Sequence, residues 1–359
     1  MRSVPAQFFA TQQGDAPAVK RVLLSIALLA VAALASACGG ASDAQSSAAP
    51  GRNPGEPLHV VTTVSPITSI AENIAGTKAM VTGVIPEGTN SHSFEPAPSV
   101  SKSLAVADLL IINGLFLEEP TVKLALASMR PGTPILSLGD RAISREEWQF
   151  DFSFPENEGH PNPHLWPDPI LALKYAELIK DELSRRDAAN AYYYADNYSK
   201  FKGRIGQLDA AVRQAVASVP EKNRKLLTYH DSWAYFAKRY GMSVIGAVQP
   251  SDFSEPSAKD VADLILQIRE LGLPAIFGSE VFPSPVMAQI ARETGAIFVD
   301  KLADDDLPGG PGDPRHSYLG LMISNMEIMI PALGGDASAV SKVDAALVFD
   351  GKSLAVYPQ

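Results

Sequence analysis

The chain has 359 residues, 46% of them hydrophobic and 19% charged, and carries a formal net charge of -10. That length and composition hold two domains with a sizeable core and exclude global disorder. The acidic balance, with no basic face in the charge pattern, excludes nucleic acid as a partner.

Read from the start, Lys20 and Arg21 precede an apolar run from Val22 to Ala35. The run falls short of the roughly 20 residues that a membrane-spanning helix needs, and fits the apolar region of a secretory signal. Small residues then lead to Cys38-Gly39-Gly40, and Cys38 is the only cysteine. The arrangement resembles a bacterial lipoprotein signal. Ala35 stands where such signals usually carry Leu, and Leu34 lies one step earlier. The resemblance implies that residues 1–38 are a signal peptide ending in an acylated cysteine, and that the protein is held at the outer face of the cell membrane. A single cysteine excludes a disulfide within the chain. Residues 39–57, rich in Gly, Ala, Ser, Pro and Asn, read as a flexible tether.

From Leu58 the pattern alternates short β-rich runs with helical ones. Strands are expected at 58–63, 79–85, 109–112 and 134–138, with helices opened by Ser65-Pro66 and at 99–107. Pro169 opens a helix, and Asp187 caps a second that runs without Pro to Ser218. About 30 residues at 1.5 Å each span roughly 45 Å, enough to connect two lobes. The alternation then resumes, with strands at 225–228, 243–247, 274–277 and 296–299. Helices are expected after Asp231, at 259–271, after Ser284-Pro285 and at 318–333. The fold class is α/β. Two parallel-sheet lobes, residues 58–186 and 220–359 with a tail, are joined by a long rigid helix over 187–219.

Of six histidines, three stand beyond strand ends or before helix starts, where open α/β sheets bind ligands. His230 follows the strand at 225–228, His92 lies in the loop PEGTNSHSFEP, and His164 lies in the turn PNPHLWPDP. Asp300 follows the strand at 296–299. Two of these four precede the connecting helix and two follow it. Their intervals of 72, 66 and 70 residues are too wide for a zinc finger and are not diagnostic alone.

Four ordered motifs carry a closer resemblance. Gly88 to Pro96 is similar to a G-x-x-x-H-x-x-E-P loop, after a first strand ending TTVSP and an IAG helix end. Asn162 to Pro169 is similar to a D-P-H-x-W-x-D-P turn, with Asn162 in place of the common Asp. His230 to Gly241 is similar to H-x-x-x-x-Y-F-x-x-x-Y-G, and Asp300 ends the late strand. From about Leu58 to Leu333 the chain resembles the zinc/manganese-type solute-binding proteins of bacterial ABC importers. The resemblance implies a metal site of His92, His164, His230 and Asp300 in the cleft between the lobes. It implies Zn2+ as cargo, with Mn2+ or Fe2+ as alternatives, and as partners an ABC permease and its ATPase. The chain is expected to be a monomer, tied to the membrane by its lipid. Glu95 and Glu280 are candidates for orienting the ligands. His59, His160 and His316 read as bystanders, His160 within a short acidic loop. Asp304 to Asp306 lacks the spacing of a calcium loop.

Two rival functions are a zinc hydrolase and a surface adhesin with a structural ion. Four protein ligands leave no position for the hydrolytic water, and no nucleophile motif appears. An adhesin held by a structural ion would unfold without it, whereas a receptor must bind and release.

Overall fold

The computed structural model describes residues 56–281 and 284–358. The first lobe runs β1 (Leu58–Thr62), α1 (Ser65–Ala75), β2 (Ala79–Gly83), α2 (Val100–Val106), β3 (Leu109–Ile112), α3 (Glu119–Ser128), β4 (Ile135–Ser137), a short α4 (Gly139–Ala142) and α5 (Pro169–Arg186). The long α6 (Ala191–Ser218) follows. The second lobe runs β5 (Lys225–Thr228), α7 (Ala234–Tyr240), β6 (Ser243–Ala247), α8 (Ala258–Leu271), β7 (Ala275–Phe277), α9 (Pro285–Thr294), β8 (Ile297–Val299) and α10 (Tyr318–Ala332).

Each lobe is built on a four-stranded parallel sheet, ordered β2-β1-β3-β4 in the first and β6-β5-β7-β8 in the second. All four residues of β3 are buried, as strands covered on both faces require. In each sheet the winding reverses beside the first strand, between β1 and β3 and between β5 and β7. A crevice therefore opens outside the carboxyl ends of those strands. The loops that leave these ends carry the residues of interest.

Helix α6 is the spine. Phe201, Ile205, Leu208, Val212 and Val216 recur at helical spacing and are buried, and the helix packs on α5, α1 and α10. Pro66 in the first turn of α1 and Gly76 at its end punctuate that helix. Gly76 has φ 53°, and a Cβ there would meet the hydroxyl of Tyr193 on α6.

The structure departs from the sequence reading in three places. Helix α3 was not expected, because Glu119-Pro120 and Lys123 interrupt its apolar pattern. Asp231 does not cap α7, which begins three residues later; its carboxylate instead accepts Ser153 N–H at 3.0 Å. The tail assigned to the second lobe leaves it after α10 and lies along the first. Asp344 pairs with Arg204 of α6, and Val348 N–H donates to Asn73 of α1 at 3.2 Å. Val356 then exchanges backbone hydrogen bonds with Val81 and Gly83 at the edge of β2, and Tyr357 OH donates to Glu72 at 2.6 Å. Cys38 and most of the tether lie outside the described residues. Among those described, no helix is long and apolar enough to cross a membrane.

Candidate metal centre

Three predicted residues converge. One nitrogen from each of His92, His164 and His230 lies within 4.8 Å of the others, the one such group among the described residues. Nε2 of His164 is 3.2 Å from Nε2 of His92 and 3.0 Å from Nε2 of His230. Four nitrogens at Zn–N bond lengths of about 2.05 Å in a tetrahedron would stand about 3.3 Å apart.

The outer nitrogens explain which protons are present. Asn162 Nδ2 donates to the Asp231 carbonyl at 2.6 Å and to Asp151 Oδ2 at 2.9 Å. That fixes the amide, so its Oδ1 faces His164, accepting from the backbone N–H at 3.0 Å and from Nδ1 at 2.8 Å. Gln249 Oε1 likewise meets His230 Nδ1 at 2.8 Å. Assigned from its acceptor, His164 carries its proton on Nδ1 and turns Nε2 toward the other two rings. Burial holds His92 and His164 well below the ordinary histidine range, with His230 adding to the depression. Both are neutral, ligand-ready imidazoles at pH 7.

Local structure delivers each ring. His92 sits on a loop turned by Asn90, whose side chain accepts His92 N–H at 2.9 Å. The Pro163-His164 turn is held by Asn113, which donates to the Pro163 carbonyl at 2.9 Å, while Asp168 caps α5 just beyond it. His230 follows the buried end of β5.

Asp300 is not brought to the triad. It stands at the end of β8 with its residue exposed, and the chain needs several more residues to reach the cleft. The acids that arrive there are Asp304 and Asp305. Asp304 Oδ2 is 3.8 Å from His230 Nε2, and Asp305 Oδ1 is buried without a hydrogen-bond partner. Glu280 makes this possible, because its Oε1 accepts the N–H groups of Asp304, Asp305 and Asp306 at 2.9, 3.1 and 3.1 Å. It shapes the acidic loop and touches no histidine of the triad. Trp166 Nε1–H donates to the Asp304 carbonyl at 2.7 Å and pins the same loop from the first lobe. Across the cleft, Ser91 Oγ donates to Asp305 and Gly88 N–H to Asp306, both at 2.7 Å.

The other expectations fall as follows. Glu95 is exposed and lines a surface groove with Pro96 and Glu119. His160 stacks on Phe116 at 4.1 Å, outside the triad. His316 is buried rather than solvated, with Nε2 3.6 Å from Glu87. Sequence reasoning missed Gln249, Phe154, Phe253 and the Asp151–Asp231 acid pair. Asp151 is pushed up to about 10 by burial and by Asp231.

Comparison with known proteins bears on the family and the fold. The family model of the zinc-uptake complex component A, periplasmic (ZnuA), matches residues 60–332. The manganese-binding lipoprotein MntA of Halalkalibacterium halodurans is 26% identical over 315 residues, covering 88% of this chain and 99% of its own. The iron-binding protein YfeA of Yersinia pestis is 29% identical over 275 residues, covering 77% and 86%. The solved periplasmic zinc-binding protein TroA of Treponema pallidum superposes with a TM-score of 0.70 at 26% identity, over 78% of this chain and 99% of that one.

Proposed function

This chain belongs to the ZnuA family of periplasmic metal-uptake components, and on that premise we propose that it captures Zn2+ outside the cytoplasm and delivers it to the permease of an ABC importer. The observation that carries the reading is the convergence of three imidazole nitrogens, with His164 Nε2 3.0 Å from His230 Nε2 and 3.2 Å from His92 Nε2. Three imidazole nitrogens at that spacing can all reach one divalent cation.

His92, His164 and His230 supply three donors. The Asp304–Asp305 pair supplies the fourth, in place of Asp300. Three imidazoles and one carboxylate are a nitrogen-rich set that suits zinc, and manganese stands lowest in the general affinity order. Relatives named for manganese and for iron keep those ions as alternative cargo. The ion is transported, so the protein makes and breaks no covalent bond. Cys38 is proposed to carry the lipid that holds the receptor at the membrane, and an unmodified Cys38 in the mass spectrum of membrane-extracted protein would refute that anchor.

The test is metal analysis of the purified protein followed by direct competition. Zinc is expected to resist displacement by manganese at comparable concentration. Alanine at His92, His164 or His230, and at Asp304 or Asp305, is expected to weaken zinc binding by more than the roughly 100-fold upper benchmark for residues outside the coordination sphere. Alanine at His160 or Asp300 is expected to leave it unchanged. Manganese displacing zinc at equal concentration would overturn the metal assignment, and a large loss in Asp300→Ala alone would restore that residue as the ligand.

A further inference from the structure

The histidines do not form the whole wall of the cage. Phe253, on the loop between β6 and α8, lays its ring over His92 with centroids 4.5 Å apart and planes 23° apart. Phe154, from the loop before His164, closes the same side. It lies 5.6 Å from His92, 5.8 Å from His164 and 6.1 Å from Phe253. His92 is the one member of the triad that is only partly buried, so this is the face through which an ion would enter or leave.

The backbone under Phe253 is strained. Its N–H closes a turn onto the Pro250 carbonyl at 3.0 Å, and the residue then takes φ 57°, the left-handed region that a bulky aromatic residue avoids. Its neighbours Asp252, Ser254 and Glu255 are exposed. The same loop begins with Gln249, which orients His230. The nearest ring to Phe253 comes from the opposite lobe, at His92, while His230 of its own lobe lies 6.5 Å away.

We propose that Phe253 is the gate of the metal cage, a release element held shut by the ion itself. The inference rests on the triad being the metal site. When His92 Nε2 binds a cation, its imidazole becomes electron-poor, and a ring beneath an aromatic face then binds more strongly than a neutral one. The stack is therefore stronger in the loaded state than in the empty one, and that difference is what allows an ion to bias a closing equilibrium. In the empty protein the stack weakens, and the strain at Phe253 favours opening.

The test is the rate at which zinc leaves wild-type protein, Phe253→Ala, Phe253→Leu and Phe253→Tyr when an excess of a chromophoric chelator is added. Loss of a stacked ring is expected to speed release by about tenfold in Phe253→Ala and in Phe253→Leu, which keeps apolar bulk and guards against simple unfolding. Phe253→Tyr keeps the face and is expected to stay within about twofold of wild type. Equal release from all four proteins overturns the gate, as does fast release from Phe253→Tyr. His164→Ala is run alongside. If it still holds zinc as wild type does, the metal-site reading fails and the gate with it. If it loses zinc while Phe253→Ala releases normally, the gate alone fails.

Discussion

Replacing Asn162 by Ala should show how much of the site's affinity lies outside the coordinating atoms. Asn162 is fully buried and makes four hydrogen bonds, two to His164 and one each to Asp231 and Asp151. Alanine leaves the His164 Nδ1–H, the His164 backbone N–H and the Asp231 carbonyl without partners. A buried polar group left unpaired costs about 1–3 kcal/mol, so stability should fall by about 4 kcal/mol, allowing for water entering the space left behind. The ring of His164 would also be free to carry its proton on Nε2, the nitrogen the metal needs. Zinc affinity should therefore fall by about 10- to 100-fold, equivalent to about 1.4–2.7 kcal/mol. Asn162→Asp keeps the acceptor for Nδ1 and should retain affinity better than Asn162→Ala. Competition with a chelator of known affinity, together with thermal melting, reads both quantities. An Asn162→Ala protein that stays folded and binds zinc within about threefold of wild type would refute the orienting role assigned to the amide.

Glu280→Ala should release the acidic loop and lower zinc affinity by at least about tenfold, whereas Glu280→Gln, which retains the acceptor oxygen, should stay within about threefold; equal behaviour of the two in chelator competition would contradict the account. Burial raises Glu118 from 4.5 to about 7, against hydrogen bonds from Thr63, Asn113 and Gly114 that oppose the shift. A folded-state value above the unfolded one means that its stabilising contribution is complete below about 4.5 and is lost as pH rises through about 7. Across that window the stability of wild type relative to Glu118→Gln, measured by urea unfolding, should decline by about 3 kcal/mol, and a constant difference would be evidence against it. Removing residues 344–359 exposes the pocket of the buried Phe349 and deletes the Tyr357–Glu72 bond. Burial of side chains that size is worth about 2 kcal/mol each, so the melting temperature should drop by about 10 °C with zinc affinity intact; an unchanged melting temperature would show that the tail contributes nothing.

Strands β3, β5 and β6 fall where their β-branched and leucine-rich runs put them, and α5 starts at the Pro169 that follows a capping Asp168. Those features are local, so the sequence displays them. The histidines were legible for another reason, since each sits just past a strand end or just before a helix start, where the topology opens. Asp300 follows the same logic but stands apart from the triad. A strand-end acid looked like a ligand, but the loop beyond β8 is bent by Glu280, twenty residues upstream of Asp300, and that bend brings Asp304 and Asp305 inward instead. Gln249 and Phe253 were invisible in the same way. Their roles depend on partners 19 and 161 positions away, at His230 and His92, and nothing in their own neighbourhood signals it. Asp231 resembled a cap because it precedes a helix, yet burial beside Asp151 gives it a different partner.

The spine formed by α6 also has a mechanical consequence. Twenty-eight helical residues span about 42 Å, and this rod is braced along its length by α1, α5 and α10. Such a beam resists flexing, so bending it is a costly way to part the two lobes. The cleft residues sit instead in the segments 86–92, 249–256 and 300–307, outside the helices and strands. Rearranging a few residues outside regular elements takes less free energy than bending a packed rod. On the proposed function, release would act through those segments, and the braced rod would keep the receptor's shape for the next ion.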